Sequence, residues 1–308
     1  MKNPLAAHQK YPVEEIQNKV FGKPLVSVCV QTYQHEETIA RCLDGILMQR
    51  VDFPMEILLS EDESSDGTRE ICMQYARDYP DRIRLFLHRR ENNIWVNGRP
   101  SGRFGFLYNL MQSNGQYLAI CEGDDYWTDP QKIQKQINAM NRHPQILISF
   151  HPAVEVVGGK EQQKKVICNH ADNKCVFDLN EVILGSGSFM PTASLVFRRE
   201  AVDLLPPWID QAPVADTFIQ VYASSRGGAL YIPEIMSVYN RFLPGSWTDV
   251  NVKNSDSCSL FEGYVTCYEK MIDDFPDNRK MIAFKVAYFS KLLQILKKQQ
   301  TDGEKSGA

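Results

Sequence analysis

The chain has 308 residues, 43% of them apolar and 23% charged, with a formal net charge of −4. That composition suits a globular protein with room for one large domain or two closely packed halves. The slight acidic excess argues against a surface that tracks nucleic-acid phosphates, and no apolar run approaches the ~20 residues needed to span a bilayer. The opening "MKNPLAAHQKYPVEEIQ" lacks the apolar core of a secretory leader. Eight cysteines are scattered, four of them (Cys29, Cys42, Cys72, Cys121) inside apolar runs, which reads as buried reduced thiols. A cytoplasmic chain is therefore expected. Cys168, His170 and Cys175 are close in sequence, but C-x-H-x4-C lacks a fourth ligand and argues against a zinc site.

Strand and helix signals alternate through the first half. "LVSVCVQTY" (25–33) is β-branched and almost continuously apolar, as a strand buried on both faces is. "EETIARCLDGILMQ" carries Ile39, Leu43, Ile46 and Leu47 at helical spacing. "MEILLSED" is the second strand. "SDGTREICMQYARDY" is a helix with Ser65 or Asp66 as its cap. "IRLFLH" is the third strand, "GRFGFLYNLMQSN" a weaker helix and "YLAICEGDD" the fourth strand. "DPQKIQKQINAMNRH" reads as a helix capped by Asp129, with Pro130 at its first position. The second half is less regular. "ILISFHPAVEVV" reads as one long strand, "DLNEVILG" as a short helix, "ASLVFRR" as a strand and "ALYIPEIMSVYNRF" as a strand bent at Pro233. Residues 255–299 read as helices interrupted at "DDFPDN".

Strands alternating with helices imply an α/β fold with a mostly parallel sheet, whose ligands bind beyond the carboxyl ends of the strands. Three polar clusters fall there: "QTYQH", "SEDESSDG" and "EGDDYW". Three carboxylates within four residues (Glu122, Asp124, Asp125) repel one another, and a divalent cation turns that repulsion into coordination. A solvated turn that caps the next helix is the competing explanation. It loses weight because the other two clusters share the same edge.

The stretches "VSVCVQTYQHEETIARCLDGILMQ", "EILLSEDESSDGTREI", "GQYLAICEGDDYWTDPQKIQKQ" and "YIPEIMSVYNRF" together resemble the family 2 glycosyltransferases. The resemblance implies a Rossmann-like GT-A fold, with a mostly parallel central sheet flanked by helices. It divides the chain into an N-terminal extension (1–23), a catalytic domain (24–250) and a C-terminal helical extension (251–308). Within the catalytic domain, 24–150 is the nucleotide-sugar half and 151–250 the acceptor half.

The resemblance also implies roles. Thr32 and Tyr33 match the loop that lies against the nucleotide. Asp62, after Glu61, matches the acid that accepts a hydrogen bond from the base, usually uracil. Glu122-Gly123-Asp124 matches the Asp-x-Asp motif, which places Glu122 near the ribose and Asp124 on an Mn²⁺ or Mg²⁺ ion that bridges the donor phosphates. Asp125 is a further acid for that metal, and Asp216 in "VADTFIQ" matches the general base. Arg99 and Arg103 precede the fourth strand, within reach of a diphosphate, with ordinary surface cations as the alternative. Two departures stand out. Glu122 replaces an Asp, and in "YNRFLPGSW" Phe242 or Leu243 stands where many relatives have a histidine, with Pro244-Gly245 in place of paired glycines. Trp247 is read as beside the acceptor, over the donor, or packed.

The resemblance implies an inverting, metal-dependent transfer from a UDP-linked donor to a saccharide or lipid-linked acceptor, in cell-surface polysaccharide synthesis. A nucleotidyltransferase would want a glycine-rich basic loop where "QTYQHEET" stands, and a catalytically silent scaffold would have no need of Asp124, Asp125 and Asp216. The segment "KMIAFKVAYFSKLLQILKKQ" is helical, apolar and basic. It is read as packing against the catalytic domain or a second subunit, with peripheral contact at the inner membrane face as the alternative.

Overall fold

The computed structural model describes residues 4–19, 22–96, 99–243, 249 and 257–306. β1 (Glu14–Ile16), in the segment read as an N-terminal extension, is an edge strand. β2 (Val26–Thr32), α1 (Ile39–Leu47), β3 (Met55–Glu61), α2 (Thr68–Asp78) and β4 (Ile83–Leu87) then alternate as expected. A two-stranded hairpin, β5 (Trp95–Val96) and β6 (Arg99–Pro100), precedes α3 (Arg103–Gln112) and β7 (Tyr117–Ile120). β8 (Tyr126–Trp127), α4 (Lys132–Asn141), β9 (Ile148–Phe150), β10 (Ala153–Val157), β11 (Lys160–Ile167), β12 (Cys175–Phe177) and α5 (Leu179–Gly185) follow. The chain continues through β13 (Val196–Arg198), α6 (Glu200–Asp203), α7 (Ala215–Ser224), β14 (Ala229–Tyr231) and β15 (Ser237–Arg241), and closes with α8 (Ser257–Asp274) and α9 (Arg279–Ser306).

Nine strands form the main sheet in the order β1-β4-β3-β2-β7-β13-β9-β14-β12. The pairs β4/β3, β3/β2 and β2/β7 are parallel, so the carboxyl ends of β2, β3 and β7 share one edge. Their residues are almost wholly buried because apolar layers cover both faces, Leu58, Phe86 and Leu118 on one side and Val28, Ile57 and Leu59 on the other. The second half adds strands of mixed direction.

The structure corrects four sequence expectations. "ILISFHPAVEVV" is two strands. β9 lies in the main sheet, and after His151-Pro152 the chain crosses to β10 in a separate four-stranded sheet ordered β11-β10-β15-β8. "ALYIPEIMSVYNRF" splits in the same way, β14 in the main sheet and β15 in the small one. α4 starts at Lys132, not at Pro130. Asp129 caps no helix but accepts from the Gln131 N–H (2.8 Å) and pairs with Lys135 (2.6 Å), forming a turn ahead of it. Likewise the N-cap of α2 is Gly67, while Asp66 holds the Thr68 N–H at 3.0 Å.

Candidate active site

The small sheet lies against the carboxyl end of β7, and the loop between β7 and β8 carries the three acids. Its backbone is pinned to β2: Cys121 N–H donates to Cys29 O (3.1 Å) and Gly123 N–H to Gln31 O (3.0 Å). A Cβ at position 123 would sit 2.6 Å from Thr32 Oγ1 and 2.7 Å from His35 Nδ1, so only glycine permits this approach. Thr38 Oγ1 closes the contact by donating to Gly123 O (2.9 Å).

Ligand atoms of Glu122, Asp124 and Asp125 all lie within 4.8 Å of one another. Asp125 is only 1% exposed. Its Oδ1 accepts from Asn240 N–H on β15 (2.9 Å), and Asn240 Nδ2 donates to Asp124 O (2.6 Å). Asp125 Oδ2 is buried with no hydrogen-bond partner among the described residues. Burial, then the Asp124 and Glu122 charges, push the Asp125 carboxyl well above its ordinary range, and burial, then Asp124 and Asp216, raise Glu122. A buried carboxylate oxygen left without a donor, inside a cluster of like charges, fits a divalent cation with oxygen ligands. Gln31 Nε2 donates to Glu122 Oε1 (3.1 Å). His35 Nε2 stands 4.0 Å from Asp124 Oδ2, with its Nδ1 3.1 Å from Thr32 Oγ1. Sequence reasoning did not single out His35, although it lies in the first of the three polar clusters.

The second pocket sits at the ends of β2 and β3. Thr32 and Asp62 are buried, and Asp62 N–H donates to Thr32 O (3.1 Å). Asp62 Oδ2 accepts from Arg90 Nη1 and from Asn93 Nδ2, both at 2.5 Å, while the Arg90 guanidinium lies 3.7 Å from the centre of the Tyr33 ring. Burial raises the Asp62 carboxyl to about 6 against the opposing pull of Arg90. Glu61, by contrast, is fully buried and committed to the Ser64 N–H (2.6 Å) and Arg69 Nε (2.5 Å), which fixes the turn into α2. Sequence reasoning missed Arg90 and Asn93. Their position just beyond the carboxyl end of β4 was the available signal.

An N-terminal strap braces this pocket. Asn92, between Arg90 and Asn93 in sequence, is buried; its Oδ1 accepts from Lys10 and Tyr11 N–H (2.8 Å each) and its Nδ2 donates to Tyr11 O (2.9 Å).

Asp216 is the second residue of α7, not its cap, which is Val214. Its Oδ1 accepts from Thr217 N–H (2.6 Å) and its Oδ2 from Thr192 Oγ1 (2.7 Å). Thr192 lies just before β13, and Leu195 O, immediately ahead of that strand, accepts from Ile120 N–H (3.2 Å) at the end of β7. This places Asp216 close enough to the acid loop for its charge to raise Glu122. Burial, partly offset by the two threonines, raises Asp216 itself.

Arg103, read as a diphosphate contact, is buried on α3. Its Nη1 donates to Asp210 O (2.8 Å) and its Nη2 to Pro213 O (3.1 Å), so it acts as a strut under the loop that leads to Asp216. The Arg99 side chain lies outside the described residues, as do Pro244, Gly245 and Trp247. Trp127 is core, with Nε1 donating to Ala193 O (2.8 Å). Cys168 and His170 face the carbonyls of Ser188 (3.3 Å) and Phe189 (2.8 Å), and no metal-binding group forms there among the described residues.

The half-parallel sheet with the acid loop at its carboxyl edge is a GT-A fold. The chain matches the Glycosyl transferase family 2 model over residues 27–205 and belongs to that family. It is 35% identical over 229 residues to the uncharacterized protein Rv1520 of Mycobacterium tuberculosis, covering 72% of this chain and 60% of that protein. The chain thus spans about 60% of the length of the curated relatives it first matches. Two solved structures share the fold. Staphylococcus aureus TarS in complex with UDP-GlcNAc superposes with a TM-score of 0.62 at 15% identity, covering 86% of this chain and 71% of TarS. The mannosyltransferase PcManGT of Pyrobaculum calidifontis, in complex with GDP-Man and Mn²⁺, gives 0.59 at 16% identity, covering 99% of this chain and 84% of its own.

Proposed function

We propose that the chain transfers a sugar from a nucleotide-sugar donor, UDP-linked, to a saccharide or lipid-linked acceptor, with inversion at the anomeric carbon and dependence on Mn²⁺ or Mg²⁺. The observation that carries this reading is the unpartnered Asp125 Oδ2 inside the three-carboxylate loop, with Asp216 near enough for its charge to act on Glu122. Asp124 and Asp125 would hold the cation, which supplies Lewis-acid neutralisation of the departing diphosphate. Asp62, an acceptor beside the Arg90 donor, matches a base edge that offers an N–H next to a carbonyl, as uracil does. Tyr33 supplies an aromatic face for the base, with Thr32 at its edge. Glu122 stands at the ribose side. Asp216 takes the proton of the acceptor hydroxyl as the new bond forms. The donor complexes of TarS and PcManGT support the reading of a nucleotide-sugar site. Cell-surface polysaccharide synthesis on the cytoplasmic side of the membrane is the setting this reading suggests. Among the described residues no helix is long and apolar enough to cross a membrane.

The test is a panel of UDP- and GDP-sugars with Mn²⁺ or Mg²⁺, read by released nucleotide. Release from at least one UDP-sugar is expected. Release from GDP-sugars alone overturns the UDP assignment, and no release together with no calorimetric binding of UDP overturns the enzymatic reading.

One consequence concerns Asp62. Asp62→Ala is expected to weaken UDP binding by about 1–3 kcal/mol, the cost of a base edge left unpaired. The sign of the pH effect follows from the raised carboxyl. Below about 6 it is protonated and no longer a pure acceptor, so wild-type affinity should fall as pH drops through that value. Titration calorimetry across that range checks both, because the alanine variant should lose this step along with the affinity. Equal UDP affinity in the two proteins removes Asp62 from the base site.

A further inference from the structure

We propose that α9 docks the protein on an anionic lipid surface. A helix advances about 100° per residue, so residues 280, 284, 288, 291, 295 and 298 fall within one sector of roughly 80°. In that sector stand Phe284, Tyr288 and Ile295, which are 55%, 47% and 46% exposed, interleaved with exposed Lys280, Lys291 and Lys298. The opposite face is fully engaged. Ile282 and Phe289 are buried, Lys285 donates to Leu184 O (3.1 Å) on α5, and Phe289 stacks on Tyr264 of α8 at 4.7 Å. Packing against the catalytic domain therefore accounts for one face and leaves the aromatic and basic face outward.

Charge decides the occupant. Residues 279–301 hold six basic residues and no acidic one, in a chain whose net charge is −4; Lys285 is turned inward and Lys297 pairs with Glu262 (2.6 Å), so Lys280, Lys291 and Lys298 carry the charge of the outward sector. A twofold contact between two copies of this face would set the same lysines against one another, and that repulsion opposes a self-dimer here. Aromatic and aliphatic side chains that enter the acyl boundary, flanked by lysines at headgroup level, suit an anionic bilayer. The stripe runs about 27 Å along the helix, and the helix is too polar to span, so it lies in the plane of the surface. The inner face of the helix stands close to the candidate acceptor side, since Tyr264, which stacks on Phe289, lies near Asp216. Membrane binding is tested without reference to transfer, so it stands or falls apart from the proposed activity.

The experiment is flotation of the full chain with neutral phosphatidylcholine vesicles and with vesicles containing phosphatidylglycerol. Wild type is expected to float with the anionic vesicles only, and less at high salt. The K280E/K291E/K298E variant is expected to lose about a hundredfold in partitioning, and Phe284→Ser with Ile295→Ser to lose flotation while keeping the wild-type melting temperature. Wild type remaining at the bottom with anionic vesicles at low salt overturns the proposal. So does a concentration-dependent dimer, seen by light scattering, that Phe284→Ser dissolves, because the face then belongs to a second copy.

Discussion

Asp124→Ala is expected to lower transfer at least about a thousandfold while the protein stays folded. The fold should survive because the loop is held by backbone groups that the substitution leaves in place: Asn240 Nδ2 binds the Asp124 carbonyl, and Gly123 N–H binds Gln31 O. The Asp124 side chain contributes charge, not scaffold. Asp125→Asn makes the complementary case. The amide oxygen still accepts from Asn240 N–H, but the buried acid whose ionised form burial, Asp124 and Glu122 oppose is gone. The metal-free variant should melt a few degrees above wild type. Wild type should gain stability on adding Mn²⁺, about 2.7 kcal/mol at a hundredfold excess over the dissociation constant, and both variants should lose most of that gain. Thermal melts with and without Mn²⁺ read this independently of activity. Wild-type transfer that persists in EDTA, or a melting temperature indifferent to Mn²⁺, would remove the metal from the site.

What could be read in advance follows from where the information is local. β2, β3, β4 and β7 are apolar on both faces, so each announces itself as a continuous run, and the rule that ligands gather at strand carboxyl ends then put Asp62 and Asp124 on one edge. The crossing between sheets was not legible. Both sides of His151-Pro152 are strand-like, and periodicity does not say which sheet a strand joins. Arg90 and Asn93 were missed for another reason: their position beyond the end of β4 was the one signal, because a short polar loop has no period and their partner Asp62 follows a different strand. Arg103 reads in the sequence as a diphosphate contact or else a surface cation, and only the fold shows that it is buried and held by the carbonyls of Asp210 and Pro213. Asp216 entered through the family resemblance, while Thr192, which orients it, is 24 residues away in sequence and could be found only in space.

Asp216→Asn is expected to reduce turnover by about 10²–10⁴-fold with UDP-sugar binding intact, the range for loss of a general base. The asparagine is close to an isosteric control. Its carbonyl oxygen can still accept the Thr217 N–H, and its Nδ2 can donate to Thr192 Oγ1 once that hydroxyl rotates, so stability should change little. What it cannot do is accept a proton. Asp216 is placed for that task in two respects. Burial lifts its carboxyl above the ordinary value, making the ionised form a better base, while the two threonine contacts pull in the opposite direction. Its charge also reaches the acid loop from the other half of the chain, and in the proposed reaction the acceptor hydroxyl would be held between them to attack opposite the departing diphosphate. The sign of the pH effect follows. Wild-type turnover should fall on the acid side as Asp216 takes up its proton, and the Asn variant should lack that limb at its residual rate. In-line attack with a single displacement inverts the anomeric centre. NMR of the first product is the direct check. Product that keeps the donor's anomeric configuration, or an Asn variant that turns over at near wild-type rate, would leave Asp216 as a residue that merely steadies the first turn of α7.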